Sequence, residues 1–422
     1  MIRAVENIDA RVTLERAPVI PPLPTTTQLK HAVYHGFDEM ASFRAEWDEF
    51  VEASDGDLFS TFDWCRIWWR YYGGGRRLEI HAFRNEGRLV GLIPTFRETV
   101  RFGPVAVRLI RLIGCDHSTT TCGVVLNRHH LEALIEIFAM WLGQNGDWDM
   151  VHWGPLSGYF PHRQVISEVF SRRAGSWSAS DNADDGPHII WELPKSFDDY
   201  LSSLTSNERR GFKNARKRLA EAKIADEPGL DPEEVQKHFG RFVEQHQSQW
   251  RAKGQLGHFT DWPMALEFHQ ELATSMAALG RLWLLRLDVA DHPIGFQYNY
   301  RFGCRIHWLL ASRDVDSKWD AFGSGRVLHA ETVEKAIACG FREIDGLRGM
   351  YEHKVRLGGK VVRLQSIVLT RRGFWSEFRV RWARRIARAL DFWYYRVWFG
   401  RIAPRLPLPR RGLWKLWIRS RF

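Results

Sequence analysis

The chain has 422 residues, 45% of them hydrophobic and 26% charged. That is the make-up of a soluble globular protein, and it is too long for one ordinary core, so two or three domains are expected. Arg3, Glu6, Asp9, Arg11 and Glu15 interrupt the start and no apolar run approaches a spanning helix, so no secretory leader or membrane span is expected and a cytoplasmic protein is predicted. Five scattered cysteines, an odd number, fit reduced thiols and not a disulfide framework. Cys115, His117 and Cys122 lie close together, but their spacing matches no standard zinc pattern, and no metal is expected. The formal charge of +10 is unevenly placed: from Arg371 onward fourteen Arg and one Lys stand against two acids, +13, which leaves −3 for the rest.

Residues 1–30 hold Pro18, Pro21, Pro22 and Pro24 among threonines, a composition that extends a chain without building a core, and disorder is expected there. Phe37, Phe43, Trp47 and Phe50 recur at helical spacing over 37–51, and the aromatic segment 62–72 reads as a second helix.

An internal repeat follows. Residues 78–92 and 282–296 align without a gap, each a strand, a polar turn and a second strand that opens with Val90-Gly91-Leu92 or Ile294-Gly295-Phe296. Both are β-hairpin patterns. After each hairpin come further strand residues, a helix (131–142; 326–338) and a strand (148–153; 341–345), so the chain reads as two copies of one α/β unit. Chance likeness between two common hairpins is the competing reading.

Between the copies Ser196 is placed to cap a helix. Residues 206–218 then form a strongly basic helix, either a solvated face or a surface for phosphates of a cofactor or nucleic acid. Helical patterns at 239–250 and 262–279 precede the second hairpin. In the tail, Phe374, Phe378, Trp382, Ile386, Leu390, Trp393 and Val397 fall at spacings of three or four with Arg379, Arg381, Arg384, Arg385 and Arg388 between them. Such a helix packs on the protein's own domains or lies on an anionic membrane, and Trp414 and Trp417 among Lys415, Arg419 and Arg421 favour the membrane.

The stretch 303–354 organises the rest. A buried strand at 306–311 leads through a polar segment to Phe322-Gly323-Ser324-Gly325, a helix ends at Cys339-Gly340, and a strand runs over 341–346. The Gly-Ser-Gly turn leaves unpaired amides at a helix start, where the dipole favours an anion such as a pyrophosphate. An ordinary N-cap is the bland reading of the same turn. It is not a Walker loop, because no Gly-Lys-Ser/Thr follows.

Taken together, the two α/β units, the hairpin with Gly295, Ser324-Gly325-Arg326-Val327-Leu328, Ile344-Asp345-Gly346-Leu347-Arg348-Gly349 and Lys354 resemble the CelD-like branch of the GNAT acyltransferase superfamily, related to the FemABX transferases. Phe59, Trp64, Trp68 and Trp69, the basic helix Asn207 to Arg218, and His246 with Trp250 are similar to other segments of that family. The likeness spans about 38–369. It departs where His353-Lys354 replaces Tyr-Lys and Gly323-Ser324-Gly325 replaces Ser-Pro-Gly.

The resemblance implies an α/β (α+β) architecture of two tandem GNAT-like domains, each a mixed, mostly antiparallel sheet flanked by helices, plus the C-terminal amphipathic helix. The expected divisions are 1–30, a first domain at 31–190 without a CoA site, a CoA-binding second domain at 191–370, and the basic tail at 371–422. It implies acetyl-CoA or another acyl-CoA as donor, with Gly323, Ser324, Gly325 and Arg326 at the pyrophosphate. Asp345, Tyr351 and His353, with His307 as a further candidate, are the groups for proton transfer, and Arg210, Trp250 and Lys354 those for the acceptor or phosphate.

Attack of an amine or hydroxyl on the thioester needs a base, an acid for the thiolate, and amides that polarise the carbonyl. Three functions stay open: acyl transfer from CoA to a sugar, amine or envelope intermediate; aminoacyl transfer from charged tRNA; and a non-catalytic, membrane-bound part of polysaccharide synthesis.

Overall fold

The structure is a computed structural model that describes residues 29–406, apart from 117–120, 174, 227–230, 255–256, 262, 291 and 316–317. The expectations for most of 1–30, for His117, and for Trp414 and Trp417 lie outside the described residues.

In chain order the first half comprises β1 (Leu29–Tyr34), α1 (Arg44–Ala53), α2 (Phe62–Tyr72), β2 (Arg77–Asn85), β3 (Arg88–Phe102), β4 (Val105–Leu112), β5 (Val125–Leu126), α3 (Leu131–Gln144), β6 (Met150–Ser157), α4 (Arg163–Ser171) and β7 (Trp177–Glu192). The second comprises α5 (Phe197–Ser203), α6 (Ser206–Arg218), β8 (Lys223–Asp226), α7 (Pro232–Arg251), α8 (His258–Asp261), α9 (Ala265–Ala278), β9 (Leu282–Val289), β10 (His292–Phe302), β11 (Arg305–Arg313), α10 (Ser324–Ala338), β12 (Glu343–Arg348), α11 (Glu352–Arg356) and β13 (Lys360–Arg371), followed by α12 (Phe374–Phe392), which runs on into a wider helical segment, Trp393–Ile402.

The repeat is visible in the sheet. Its order is β1-β2-β3-β4-β6-β13-β7-β12-β11-β10-β9-β8, with β5 on β3, and it reads alike from either edge except at the centre. Only β4 with β6 and β11 with β12 pair in parallel among the described residues, at matching places in the two copies. The centre is an exchange: β13 lies between β6 and β7, and β7 between β13 and β12. Each copy's last strand therefore completes the other's sheet.

Side-chain alternation along the strands sends successive residues to opposite faces. Leu282 and Leu284 join a core that α1 and α2 of the first copy share with α7 and α9 of the second, whereas Trp283 and Leu285 face α5, α6 and α10. Trp64 and Phe268 meet edge to face across the shared core, 6.3 Å between ring centres. It is this layer that fixes the copies against each other.

Several expectations need correction. Lys30 belongs to β1 and not to a disordered segment. The helix expected over 262–279 is α9, which begins only at Ala265 because Met264, at its N-cap, takes a left-handed conformation (φ 55°). In α12 the small residues Val380 and Ala383 pack on Val107, Leu109 and Met150, with Ile386 partly buried, while Phe374, Phe378 and Trp382 stay exposed. Close approach of a helix to a sheet selects small side chains, which the aromatic period concealed.

Candidate active site

β11 and β12 run together only from Arg305/Glu343 to His307/Asp345. Beyond that point β12 pairs with β7 alone, with Leu347 in a left-handed turn (φ 63°). On β11, Tyr298 faces Leu310 and Asn299 faces Trp308, so Leu309 is an extra, bulged residue. A bulge bends its strand and leaves ladder groups unpaired, and the two strands part, opening a gap in the middle of the sheet.

Lys354 reaches into that gap from α11. Its Nζ donates to the Gly346 carbonyl at 2.6 Å and lies 4.9 Å from the Trp308 ring centre and 5.1 Å from that of Tyr351. Burial pushes the Lys354 ammonium down to about 8, against the opposing pull of Asp345. Gly346 has no room for a side chain, since a Cβ there would meet the Trp191 ring at 2.4 Å.

On the face beneath the shared core, buried Asp345 accepts from the Leu347 amide at 2.8 Å, and His188 Nδ1 stands 3.5 Å away. His188 Nε2 in turn meets Ser157 Oγ at 3.2 Å. Burial alone would raise the Asp345 carboxyl, but the bonding and charge of His188, the charge of His307 and the Leu347 amide hold it below the usual carboxylate range. His307, opposite Asp345 in the ladder, is pushed down to about 4 by burial, and neither ring nitrogen has a hydrogen-bond partner among the described residues. The first copy closes this side: Phe59 packs edge-on against His307 at 5.1 Å. Asp57 accepts from the Phe59 amide at 2.9 Å and from Thr121 Oγ1 at 3.1 Å. Burial pushes Asp57 up to about 6, with Arg305 opposing and the Asp345 charge adding.

Of the other proton-transfer candidates, Tyr351 is 53% exposed and His353 lies beside it on the surface, 5.8 Å between ring centres. Burial, followed by the charges of Lys354 and Arg356, lowers the His353 pKa. These two stand at the mouth, Asp345 at the bottom.

At the far end of β11 the chain returns through Gly323 (φ 89°) into α10. Gly323 stands at the N-cap, so Ser324 is not the cap: it is the first helical residue, 1% exposed, and its Oγ has no partner among the described residues. Gly325 faces Arg313, whose Cδ a Cβ would meet at 2.9 Å; Arg313 itself bonds Asp320 at 2.6 Å. The Arg326 guanidinium turns the other way, 3.1 Å from Glu208 and against Gly211 of α6. Gln249 accepts from the Arg313 amide at 2.9 Å, but the ring of its neighbour Trp250 lies beside His246, 6.1 Å between ring centres, and against Gly257. Arg210 instead bonds Asn207 at 2.8 Å on the exposed side of α6. Beside it, Arg209, Lys213 and Lys217 edge a groove of about 650 Å³ floored by Leu201 and Phe212.

Of the residues gathered at the gap, Asp345, His307 and Lys354 were among those read from the sequence, whereas Asp57, Ser157 and His188, all from the first copy, were not. No local pattern marks these three; the exchanged strand brings His188 to the site.

Residues 206–355 match the family described as "Acetyltransferase (GNAT) domain". The matched span runs from the basic helix to α11 and contains the gap, the turn at Gly323 and Lys354. The chain carries a GNAT-type acetyltransferase domain, and the protein is an acyltransferase. No curated protein matches it in sequence.

Among solved structures, FemX is 11% identical, with 77% of this chain and 95% of that one covered at a TM-score of 0.56, and shares the fold. A tandem GNAT protein from the clavulanic acid biosynthesis pathway (11% identical, 82% and 99% covered, TM-score 0.42) and L-PGS from Bacillus licheniformis (12%, 80% and 94%, 0.45) superpose too loosely to support more. Among the described residues no three His, Cys, Asp or Glu side chains gather as a metal site would require, and no helix is long and apolar enough to cross a membrane.

Proposed function

We propose that the protein moves an acyl group, acetyl or longer, from coenzyme A to an amine or hydroxyl of a sugar, cell-envelope or small-molecule acceptor, and that it is a CelD-like member of the GNAT acyltransferases. The observation that carries this reading is the parting of β11 and β12 past His307 and Asp345, with the start of α10 at the end of β11. The donor's phosphates fit the first amides of α10, where the unpartnered Ser324 Oγ adds a hydroxyl donor and Gly325 lets the Arg313 side chain pack close. Arg326, held by Glu208, supports this corner from behind.

The pantetheine arm lies in the gap, where unpaired strand groups are its natural partners, and the Leu309 bulge aims backbone amides at the thioester carbonyl. Asp345, kept ionised and flanked by His188, takes the proton from the attacking amine or hydroxyl. Tyr351 and His353 at the mouth return a proton to the thiolate, Trp250 holds the acceptor, and Lys354, once released from the Gly346 carbonyl, meets the negative charge that develops on the thioester oxygen. Chemically, the nucleophile's lone pair forms the new C–N or C–O bond, the C–S bond breaks, and the proton passes by way of the enzyme to sulfur.

A second reading, aminoacyl transfer from charged tRNA, has its own support: Lys354 already bonds the Gly346 carbonyl that a pantetheine amide would use, and α6 presents Arg209, Lys213 and Lys217 to solvent. Calorimetric titration of acetyl-CoA into the wild type and Gly325→Glu decides between them. Binding that the variant loses supports the CoA reading. Salt-sensitive tRNA binding with no CoA binding supports the second.

A further inference from the structure

α12 has two faces with opposite fates. Val380 and Ala383 are buried on the first copy's sheet, which fixes the helix in place, and Ser376 bonds Asp149 at 2.8 Å to pin its first turn. The opposite face is aromatic and bare: Phe374 is 75% exposed, Trp375 66%, Phe392 52% and Trp393 61%, with Phe378 and Trp382 between them. Soluble proteins seldom leave an apolar patch of this extent uncovered unless something binds it.

The charges around it identify what. Arg381, Arg385 and Arg388 lie on or beside the aromatic face, exposed and without an ion pair among the described residues. Beyond residue 406 the sequence adds four Arg, one Lys and two Trp with no acid. Aromatic rings that enter the headgroup layer, flanked by guanidinium groups that meet lipid phosphates, are what binding in the plane of an anionic bilayer requires.

We propose that α12 docks the protein on an anionic lipid surface, its aromatic face in the headgroup layer and Arg381, Arg385 and Arg388 on the lipid phosphates. The enzyme then works at a membrane surface, and its acceptor is presented there. None of these residues belongs to the donor corner, so the proposal stands or falls independently of the donor's identity.

Vesicle flotation of the full chain tests it. Binding is expected to vesicles of phosphatidylcholine with about 30 mol % phosphatidylglycerol and to be at least about tenfold weaker to phosphatidylcholine alone, falling as salt rises. The combined variant Phe374→Ser, Trp375→Ser, Phe378→Ser and the combined variant Arg381→Gln, Arg385→Gln, Arg388→Gln should each lose about tenfold or more with unchanged thermal unfolding. These side chains are exposed, so both variants keep the packed face. Absence of wild-type flotation, or undiminished flotation of the aromatic variant, overturns the proposal. So does a dimer in sedimentation velocity that the aromatic variant dissociates, since a second copy then covers the face. Vesicle binding gained only when the chain is ended at residue 406 likewise overturns it, because the protein's own tail is then the cover.

Discussion

Lys354 spans the space between two diverging strands and donates a hydrogen bond to the Gly346 carbonyl at 2.6 Å. An unpaired strand carbonyl is a costly group to leave dry, and the ammonium satisfies it until a substrate arrives. The donor must therefore displace Lys354, which frees a cation at the point where negative charge develops. Lys354→Met keeps the length of the side chain and removes the charge. It should lower kcat by about 10²-fold or more in steady-state kinetics, the usual loss for one group that stabilises the transition-state oxyanion.

The same substitution should stabilise the fold at neutral pH, by about 1–2 kcal/mol after allowance for the lost hydrogen bond. Burial lowers the folded pKa of Lys354 from 10.5 to about 8. Between those values the unfolded chain binds the extra proton, so wild-type stability rises with pH through that window while the variant stays flat. Thermal melts at pH 7 and pH 10 should show the advantage of the variant shrinking as pH rises.

Asp345→Asn should leave the Leu347 amide bonded and remove the negative charge between His188 and His307. With Asp345 as base, kcat falls by about 10²–10⁴-fold with KM little changed. A loss confined to KM would assign Asp345 to binding and move the base to His353 or Tyr351. Without the acid's negative charge, the buried His307 should remain neutral over a wider range of pH.

Much of this arrangement was legible in the sequence, because it depends on local signals. The hairpins, the basic helix Ser206–Arg218 and the aromatic helix Phe62–Tyr72 follow from alternation and helical period. The gap's own residues, Asp345 and Lys354, lie in the second copy and were read there. What was not legible is partnership at a distance. Nothing in Trp177–Glu192 says that it crosses to the other copy, yet that crossing alone brings His188 to Asp345. Nor does periodicity say which side of α12 faces inward when both sides carry apolar residues.

Asp57 supplies a pH test that does not depend on turnover. Its carboxyl is raised from 3.8 to about 6 in the fold, with burial the largest cause. A raised acid binds a proton that the unfolded chain has already released, so its contribution is fully present below pH 3.8 and is lost as pH rises through 6. Asp57→Asn retains an oxygen for the Phe59 amide. It should raise stability by about 1–2 kcal/mol at pH 8 and by little at pH 4, measured by urea denaturation at each pH.

Gly346→Ala tests whether the gap's shape is enforced by packing. The new Cβ would lie 2.4 Å from the Trp191 ring, which cannot retreat easily because it packs on Trp308 at 5.6 Å and His329 at 5.1 Å and donates to the Leu357 carbonyl at 2.9 Å. Overpacking of this kind costs about 1–3 kcal/mol. The strain should be relieved by pushing β12 toward Lys354, narrowing the gap, so donor affinity should fall together with the urea midpoint. Adding Trp191→Phe, which removes the fused ring, should recover part of the donor affinity in the double variant even though the Leu357 bond is lost. If affinity does not recover, the glycine serves the backbone of β12 and not the room around Trp191.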